Sequence, residues 1–148
     1  MADVQEMILS ITNEEVKALQ AELVALYNRE VFEKKIYYEQ SMKLEGNIME
    51  IVKGLEQQEE MHEQVLAMVL IKAGIKAREL NEKIPRSKVS DPLSKIVGFD
   101  IEQERISIGI YENTIAKAGS NLAKLLKFIM EQEFTHVKIL EKFLLENQ

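Results

Sequence analysis

The chain repeats itself after 74 residues, and this repeat limits the folds open to it more than any other feature. Both of its 2 histidines occur in the pattern Glu-x-x-His, at residues 59–62 and 133–136, which are 74 positions apart. The same shift pairs Glu30 with Glu104, and each of these is followed seven residues later by a tyrosine. Apolar residues also pair without a gap: Ile48 with Leu122, Val52 with Leu126, Leu55 with Ile129 and Leu66 with Leu140. We therefore predict two similar halves with pseudo-twofold symmetry.

The first half is predicted to be a helical hairpin over residues 12–74. Apolar residues recur at helical spacing after Thr12, which forms a capping-box pattern with Glu15. The first helix of the hairpin ends at a glycine, and the second starts at Asn47, where Glu50 completes another capping pattern. Because the turn between the two helices is very short, they are expected to pack antiparallel.

The second half is predicted to be another hairpin, over residues 92–148. Asp91-Pro92 is a strong helix start, because an N-cap carboxylate precedes a proline at the first helical position. That helix is expected to run to about Ala118. The next helix follows a short turn and is expected to continue almost to Gln148.

Residues 75–91 connect the two hairpins and break the helical period, although residues 76–83 could form a short helix. At about 3.3 Å per residue, this connection could span about 55 Å when extended. That exceeds the length of roughly 40 Å of a helix of about 27 residues. One long crossover between two antiparallel hairpins is the connectivity of ferritin-like folds. We therefore predict that residues 1–148 form a single all-α domain, a ferritin-like four-helix bundle.

Six polar side chains interrupt the apolar stripes of the four helices at about mid-height: Glu30, Glu59, His62, Glu104, Glu133 and His136. Four carboxylates cannot share a core unpaired, because each buried charge costs several kcal/mol and like charges raise one another's pKa. Two divalent cations would balance them. Carboxylate and imidazole ligands suit iron or manganese better than structural zinc. We predict a site for two iron ions, with manganese as the alternative metal.

Dimetal carboxylate bundles of known geometry suggest a role for each side chain. In that pattern Glu59 and Glu133 would bridge the two metals. The other four ligands would terminate the metals, either as Glu30 with His62 and Glu104 with His136 or with the two histidines exchanged, since the sequence does not decide which histidine meets which glutamate. Tyr37 and Tyr111 are expected to donate hydrogen bonds to ligand carboxylates and so to orient them.

Composition excludes several kinds of partner. The formal net charge of −6 disfavours nucleic acid, because phosphate binding needs a basic surface. Without cysteine the chain has no thiolate metal site or iron–sulfur cluster of its own. No apolar run approaches the roughly 18 residues of a membrane span, so no membrane partner is expected. The first residues lack the features of a signal peptide, which favours a cytoplasmic location.

Four motifs run along the chain: Glu30-x6-Tyr37, Glu59-x-x-His62, Glu104-x6-Tyr111 and Glu133-x-x-His136. In combination they resemble the ferritin-like di-iron carboxylate superfamily, and its rubrerythrin-type domain in particular, over nearly the whole chain. The resemblance implies a non-haem di-iron enzyme that reduces hydrogen peroxide, or dioxygen, to water. The chain lacks the rubredoxin-like module with four cysteines that full-length rubrerythrins carry, so an external electron donor is expected. We also expect a homo-oligomer, namely a dimer.

The chain departs from the rubrerythrin pattern at one position. Rubrerythrins carry an additional carboxylate three residues after the glutamate of the third helix, and here that position is Ser107. The repeat relates Ser107 to Glu33, three residues after Glu30. Glu33 could therefore supply the additional carboxylate from the first helix, or it could be a solvated surface side chain.

The same six side chains are also compatible with other functions. A ferroxidase or another iron-handling protein would use the same ligands, and so would an enzyme similar to manganese catalase. A different kind of protein is a non-catalytic interaction or structural bundle whose polar core fixes the register of the helices. The variants Glu59→Ala and Glu133→Ala distinguish a metal enzyme from a non-catalytic bundle. In a metal enzyme each variant should lose metal and peroxide turnover while it remains helical, and unchanged metal content would contradict the assigned site.

Overall fold

The computed structural model describes residues 3–77 and 91–147. Within these two stretches the chain is almost entirely helical and contains no strand. Its helices are α1 (Val4–Ser10), α2 (Asn13–Ala18), α3 (Gln20–Lys43), α4 (Asn47–Lys72), α5 (Leu93–Ile115) and α6 (Ser120–Glu146).

The four long helices form the predicted bundle. Helices α3 and α4 pack as one antiparallel hairpin and α5 and α6 as the other, while α3 also contacts α5 and α4 contacts α6. The prediction of an all-α four-helix bundle is confirmed. Most of the predicted crossover, including the short helix considered at 76–83, lies outside the described residues. The single-domain boundaries therefore stay a prediction.

The first predicted helix is divided in the structure. Thr12 and Glu15 form the predicted capping box, in which the Glu15 amide donates to Thr12 Oγ1 at 3.1 Å and the Thr12 amide donates to Glu15 Oε1 at 3.0 Å. Helix α2 then ends at Leu19, whose backbone leaves the helical region with φ −122° and ψ 30°. The non-helical backbone of Leu19 separates α2 from α3, and its side chain remains buried in the core at this break.

Two predicted helix caps are wrong. Asn47 does begin α4, but the N-cap is Gly46 and no side chain caps this end, so the pattern with Glu50 is not used. Gly46 has a φ of 79°, a conformation that favours glycine, and this tight turn brings α4 back against α3. Helix α5 has Pro92 as its N-cap, so Asp91 stands one residue before the position predicted for it.

The core of the bundle consists of two apolar clusters with a polar layer between them. One cluster lies toward α1 and includes Leu23, Leu26, Leu66, Leu122 and Leu125. The other lies toward the opposite end and includes Val52, Leu55, Val97 and Leu140. On α3, α4 and α6 the predicted ligands fall between residues of the two clusters, whereas on α5 Glu104 lies between Ile101 and Ile108 of the second cluster. Apolar packing on both sides therefore fixes the polar layer. None of the described helices combines the length and apolar content needed to cross a membrane.

Candidate metal centre

The bundle brings all six predicted ligand side chains together, and each of them is 0% exposed. Helix α3 contributes Glu30 and α5 contributes Glu104. Helices α4 and α6 each contribute a glutamate and a histidine three residues apart, a spacing that puts both side chains on one face of a helix. The six side chains thus converge from four helices on one layer of the core.

Their ligand atoms form two overlapping groups, within each of which the atoms lie within 4.8 Å of one another. The first group is Glu30, Glu59, His62 and Glu133, and the second is Glu59, Glu104, Glu133 and His136. Glu59 and Glu133 belong to both groups. Glu30 and His62 belong only to the first group, and Glu104 and His136 only to the second. Two groups that share two carboxylates offer two adjacent positions for metal ions.

Both imidazole rings turn Nδ1 toward the carboxylates. His62 Nδ1 lies 2.9 Å from Glu133 Oε1 and 3.3 Å from Glu30 Oε2. His136 Nδ1 lies 3.3 Å from Glu59 Oε1 and 3.4 Å from Glu104 Oε1. The pairing of each histidine with the glutamate of its own half is therefore available in the structure.

The opposite ring nitrogens are held by two glutamines that periodicity did not single out. His62 Nε2 lies 2.5 Å from Gln132 Oε1, and His136 Nε2 hydrogen-bonds Gln58 Oε1. In the assigned orientation of both amides the oxygen faces the ring, and because an amide oxygen can only accept, Nε2 of each ring carries the hydrogen. A neutral imidazole then has its lone pair on Nδ1, the state required of a metal ligand. The repeat could have revealed these glutamines, since Gln58 and Gln132 are also 74 residues apart.

Two tyrosines hold carboxylates from the opposite hairpin. Tyr37 Oη donates to Glu104 Oε1 at 2.7 Å, and Tyr111 Oη donates to Glu30 Oε1 at 2.6 Å. Burial, reinforced by the neighbouring carboxylates, raises the pKa of both tyrosines well above the usual value. They therefore stay protonated and act as fixed donors. Each tyrosine binds one oxygen of its glutamate, and the second oxygen has no hydrogen-bond partner among the described side chains.

The centre contains more hydrogen-bond acceptors than the surrounding side chains have donors for. Among the described side chains, both oxygens of Glu59 and of Glu133, and Nδ1 of both histidines, have no hydrogen-bond partner. Burial, together with the charges of the other carboxylates, raises the pKa of Glu59 and Glu133 well above their usual value. Burial lowers the pKa of His62, but the charge of Glu30 and the contacts of the ring with Glu30 and Gln132 together outweigh it and raise that pKa. Lone pairs facing one another at these distances need protons or cations between them, so the residues fit a pair of divalent metal ions.

A fifth carboxylate adjoins the centre. Glu33 is 1% exposed, so the solvated alternative for this side chain is wrong. Its Oε1 accepts a hydrogen bond of 2.5 Å from Ser107 Oγ, whereas its Oε2 has no hydrogen-bond partner. Burial and the charge of Glu104 raise the pKa of Glu33 to about 8.

A cation that was not predicted reaches this fifth carboxylate. Lys34 of α3 bonds to Glu63. Arg29 instead donates to Glu33 Oε1 at 3.2 Å and to Ser107 Oγ at 3.0 Å. The arginine was missed because it lies at the edge of the apolar stripe of α3, where its long side chain can still reach inward.

No protein-family model matches the chain, and no curated protein matches it. A solved structure does resemble it: a dodecameric thioferritin, the bacterioferritin-related protein from Bacteroides fragilis. The two are 19% identical, with a TM-score of 0.74 over 97% of this chain and 92% of that chain. The chain has a ferritin-like fold. The likeness does not single out the rubrerythrin type.

Within this ferritin-like fold one further polar pair is buried between α3 and α5. Gln40 Nε2 donates to Asp100 Oδ1 at 2.7 Å. Asp100 is 1% exposed. Burial, opposed by the bond from Gln40 and reinforced by Glu104, raises the pKa of Asp100 to about 8. The 74-residue shift relates Asp100 to Leu26 and Gln40 to Thr114. The two halves of the bundle therefore differ here, since only one of them has a buried carboxyl group bonded to an amide.

Proposed function

We propose that the chain binds two iron ions at this centre and is a di-iron oxidoreductase that reduces hydrogen peroxide or dioxygen. The observation that carries the proposal is the set of buried carboxylate oxygens and imidazole Nδ1 atoms that face one another without donors. Glu59 and Glu133 would bridge the ions. The four terminal ligands would be Glu30 with His62 and Glu104 with His136.

Charge balance supports two divalent ions and includes Glu33 in the centre. The five carboxylates Glu30, Glu33, Glu59, Glu104 and Glu133 carry five negative charges when ionised. Two divalent ions and the guanidinium of Arg29 carry five positive charges. Only with both ions present can every carboxylate ionise without leaving a net charge buried. We therefore propose Glu33 as an additional ligand whose second oxygen is held by Ser107 and Arg29.

Peroxide is the oxidant that best matches a centre of two irons. Two bound ferrous ions would supply the two electrons that break the O–O bond of hydrogen peroxide, and two protons complete two molecules of water. Dioxygen needs four electrons for the same product. The chain contributes fixed ligands, tyrosine donors that orient two of them, and a core that excludes bulk water. An external donor would return the electrons.

Iron oxidation as part of iron handling is the second candidate. The resemblance to a thioferritin favours it, because that protein has the same fold and similar size. That neighbour is dodecameric, so we also propose that this chain self-associates. Light scattering in solution would distinguish the expected dimer from a larger assembly.

Rapid mixing of the ferrous protein with each oxidant tests the proposal. The chain is loaded anaerobically with Fe(II) and mixed with peroxide or with air-saturated buffer, and formation of ferric iron is followed by absorbance. We expect faster oxidation by peroxide, with one peroxide consumed per two irons. Faster oxidation by dioxygen would favour the iron-handling function instead. Glu133→Gln should abolish the reaction, whereas Glu131→Gln, at an exposed position on the same helix, should not.

A further inference from the structure

Arg29 connects the surface of the bundle with the buried carboxylates. Its side chain is 18% exposed, whereas Glu33, to which it donates, is 1% exposed. The guanidinium also donates to Ser107 Oγ and, at 2.9 Å, to the backbone carbonyl of Gln103. It lies 4.7 Å from the centre of the Phe32 ring. Arg29 is thus tied to α5 at two points and packed against its own helix.

The side of the centre between α4 and α6 and the two ends of the bundle oppose the passage of a cation. Between α4 and α6 the rings of His62 and His136 lie 6.1 Å apart and 22° from parallel. Their Nε2–H groups point outward to Gln132 and Gln58, so this side presents donors rather than ligands to an incoming cation. The two apolar clusters close the polar layer toward both ends of the bundle.

Between α3 and α5 the side chains that cross from the surface to the centre are polar. Glu33 Oε2 is buried and has no hydrogen-bond partner, and it lies next to the proposed ligands, whose charges raise its pKa. Ser107 faces it with a side chain too small to fill the space of a second carboxylate. The repeat places Gln103 and Ser107 where the first half has Arg29 and Glu33, so this side carries one cation and one additional carboxylate rather than two of each.

We propose that divalent cations reach the centre between α3 and α5, where Arg29 closes the path and Glu33 is the first ligand they meet. This inference rests on the proposed function. When Arg29 swings away from Ser107 and Gln103, Glu33 becomes accessible from the surface. When Arg29 returns, its charge and bulk cover the loaded centre. Arg29 then controls the rates of loading and of release more than the affinity.

The test is the rate of Co(II) binding, which needs no turnover. Metal-free full-length chain is mixed with Co(II) in a stopped-flow spectrometer, and ligand-field absorbance reports loading. Release is followed by adding excess chelator to the loaded protein. The decisive variant is Arg29→Lys, which keeps the charge but replaces the fork of donors with one ammonium that cannot hold all three acceptors. Arg29→Ala removes both charge and bulk.

We expect both Arg29 variants to load and release Co(II) about tenfold faster or more, a change within the range that local charge and access produce in association rates. Two ions per chain should still bind at saturation. Glu33→Gln should slow loading by about tenfold, because the first ligand is lost. Arg105→Ala removes the exposed arginine of α5 that pairs with Glu141, and it should load at the wild-type rate. Circular dichroism verifies that each variant folds.

Loading of Arg29→Lys at the wild-type rate would contradict the proposed path. So would an equal acceleration in Arg105→Ala, since the effect would then be one of general surface charge. These results leave the dimetal centre intact if the wild-type chain binds two Co(II) ions. A wild-type chain that binds none would contradict the proposed function itself, and with it the path.

Discussion

Gln58 and Gln132 decide which nitrogen of each histidine faces the centre. If their amide oxygens are removed, Nε2 loses its acceptor and the imidazole can exchange tautomers or rotate. We expect the double variant Gln58→Ala, Gln132→Ala to weaken metal binding by about 10- to 100-fold, as loss of such partners does in other metal sites. Competition with a chelator of known affinity measures this. Gln57→Ala, at the exposed neighbouring position, is the control and should change little.

Asp100 should make the stability of the protein fall as pH rises. The pKa of Asp100 in the folded chain is about 8, above the ordinary value of 3.8. Between about pH 4 and pH 8 the folded chain therefore keeps a proton that the unfolded chain has already released. Rising pH therefore favours the unfolded state, by at most about 1.4 kcal/mol per pH unit for one group. In Asp100→Asn, which keeps the oxygen that accepts from Gln40, the free energy of unfolding should depend less on pH over this window. Equal pH dependence in the two proteins would contradict this assignment.

Sequence patterns predicted the inner residues of the site better than the residues around it. Glu59 and His62 were found because a polar side chain stood where helical spacing required an apolar one. Arg29 reaches the site by the length of its side chain, and Gln58 by the rotation of a ring on another helix. Neither effect leaves a helical period in the sequence. The repeat could have pointed to Gln58, but only the folded chain shows which ring it contacts.

At the scale of helices, Glu15 joins two helix starts. Its Oε1 accepts from the Thr12 amide in the capping box of α2, and its Oε2 accepts from the Leu122 amide at the start of α6, 3.0 Å away in both cases. Partial burial raises the pKa of Glu15, but the two amides and the side chains of Asn121 and Thr12 together outweigh burial and lower it. Gly119 allows this approach, since a Cβ there would lie 2.5 Å from Glu15 Oε2.

Removing the Glu15 carboxylate should destabilise the protein, because the starts of α2 and α6 each lose a hydrogen-bond acceptor. We expect Glu15→Ala to lower the free energy of unfolding by about 1–2 kcal/mol, the range for loss of a helix cap. Glu14→Ala removes the same charge from an exposed neighbour and should change it by less than about 0.5 kcal/mol. Urea denaturation measures both, and equal effects would mean that the capping contacts are not the cause.

The sequence predicted where α4 begins more accurately than how its start is capped. The Thr12–Glu15 box was found because both of its members lie within one turn. The break at Leu19 was not predicted, since an apolar residue at helical spacing looks the same in a continuous and in a broken helix. The contact of Glu15 with Leu122 joins residues 107 positions apart, so no local pattern could show it.

At the scale of the whole molecule, the repeat predicted a bundle with a central polar layer, and the structure departs from the repeat within that layer. Positions related by the 74-residue shift carry Glu33 and Ser107, and Leu26 and Asp100. The duplication accounts for the shared framework of ligands. It cannot account for the differences, which lie in contacts across the pseudo-twofold axis such as that between Glu33 and Ser107.

Metal should stabilise the whole bundle because it relieves the repulsion at its centre. Loading at a free metal concentration of about 100 times the dissociation constant should add about 2.7 kcal/mol to the free energy of unfolding. In Glu59→Gln a buried carboxylate becomes neutral, so the metal-free protein should melt at the same or a higher temperature than the wild type while the gain on loading disappears. Glu60→Gln, at an exposed position, should keep the gain. A Glu59→Gln chain still stabilised by metal would contradict the assigned ligands.

The most direct test of the dimetal centre is the metal content of the chain. The protein is freed of metal, reconstituted anaerobically with Fe(II), desalted and analysed by native mass spectrometry together with elemental analysis. We predict two irons per chain in the wild type and fewer than one in Glu133→Gln. A folded wild-type chain that retains no stoichiometric metal would contradict the account, because the buried carboxylates would then be held by protons alone.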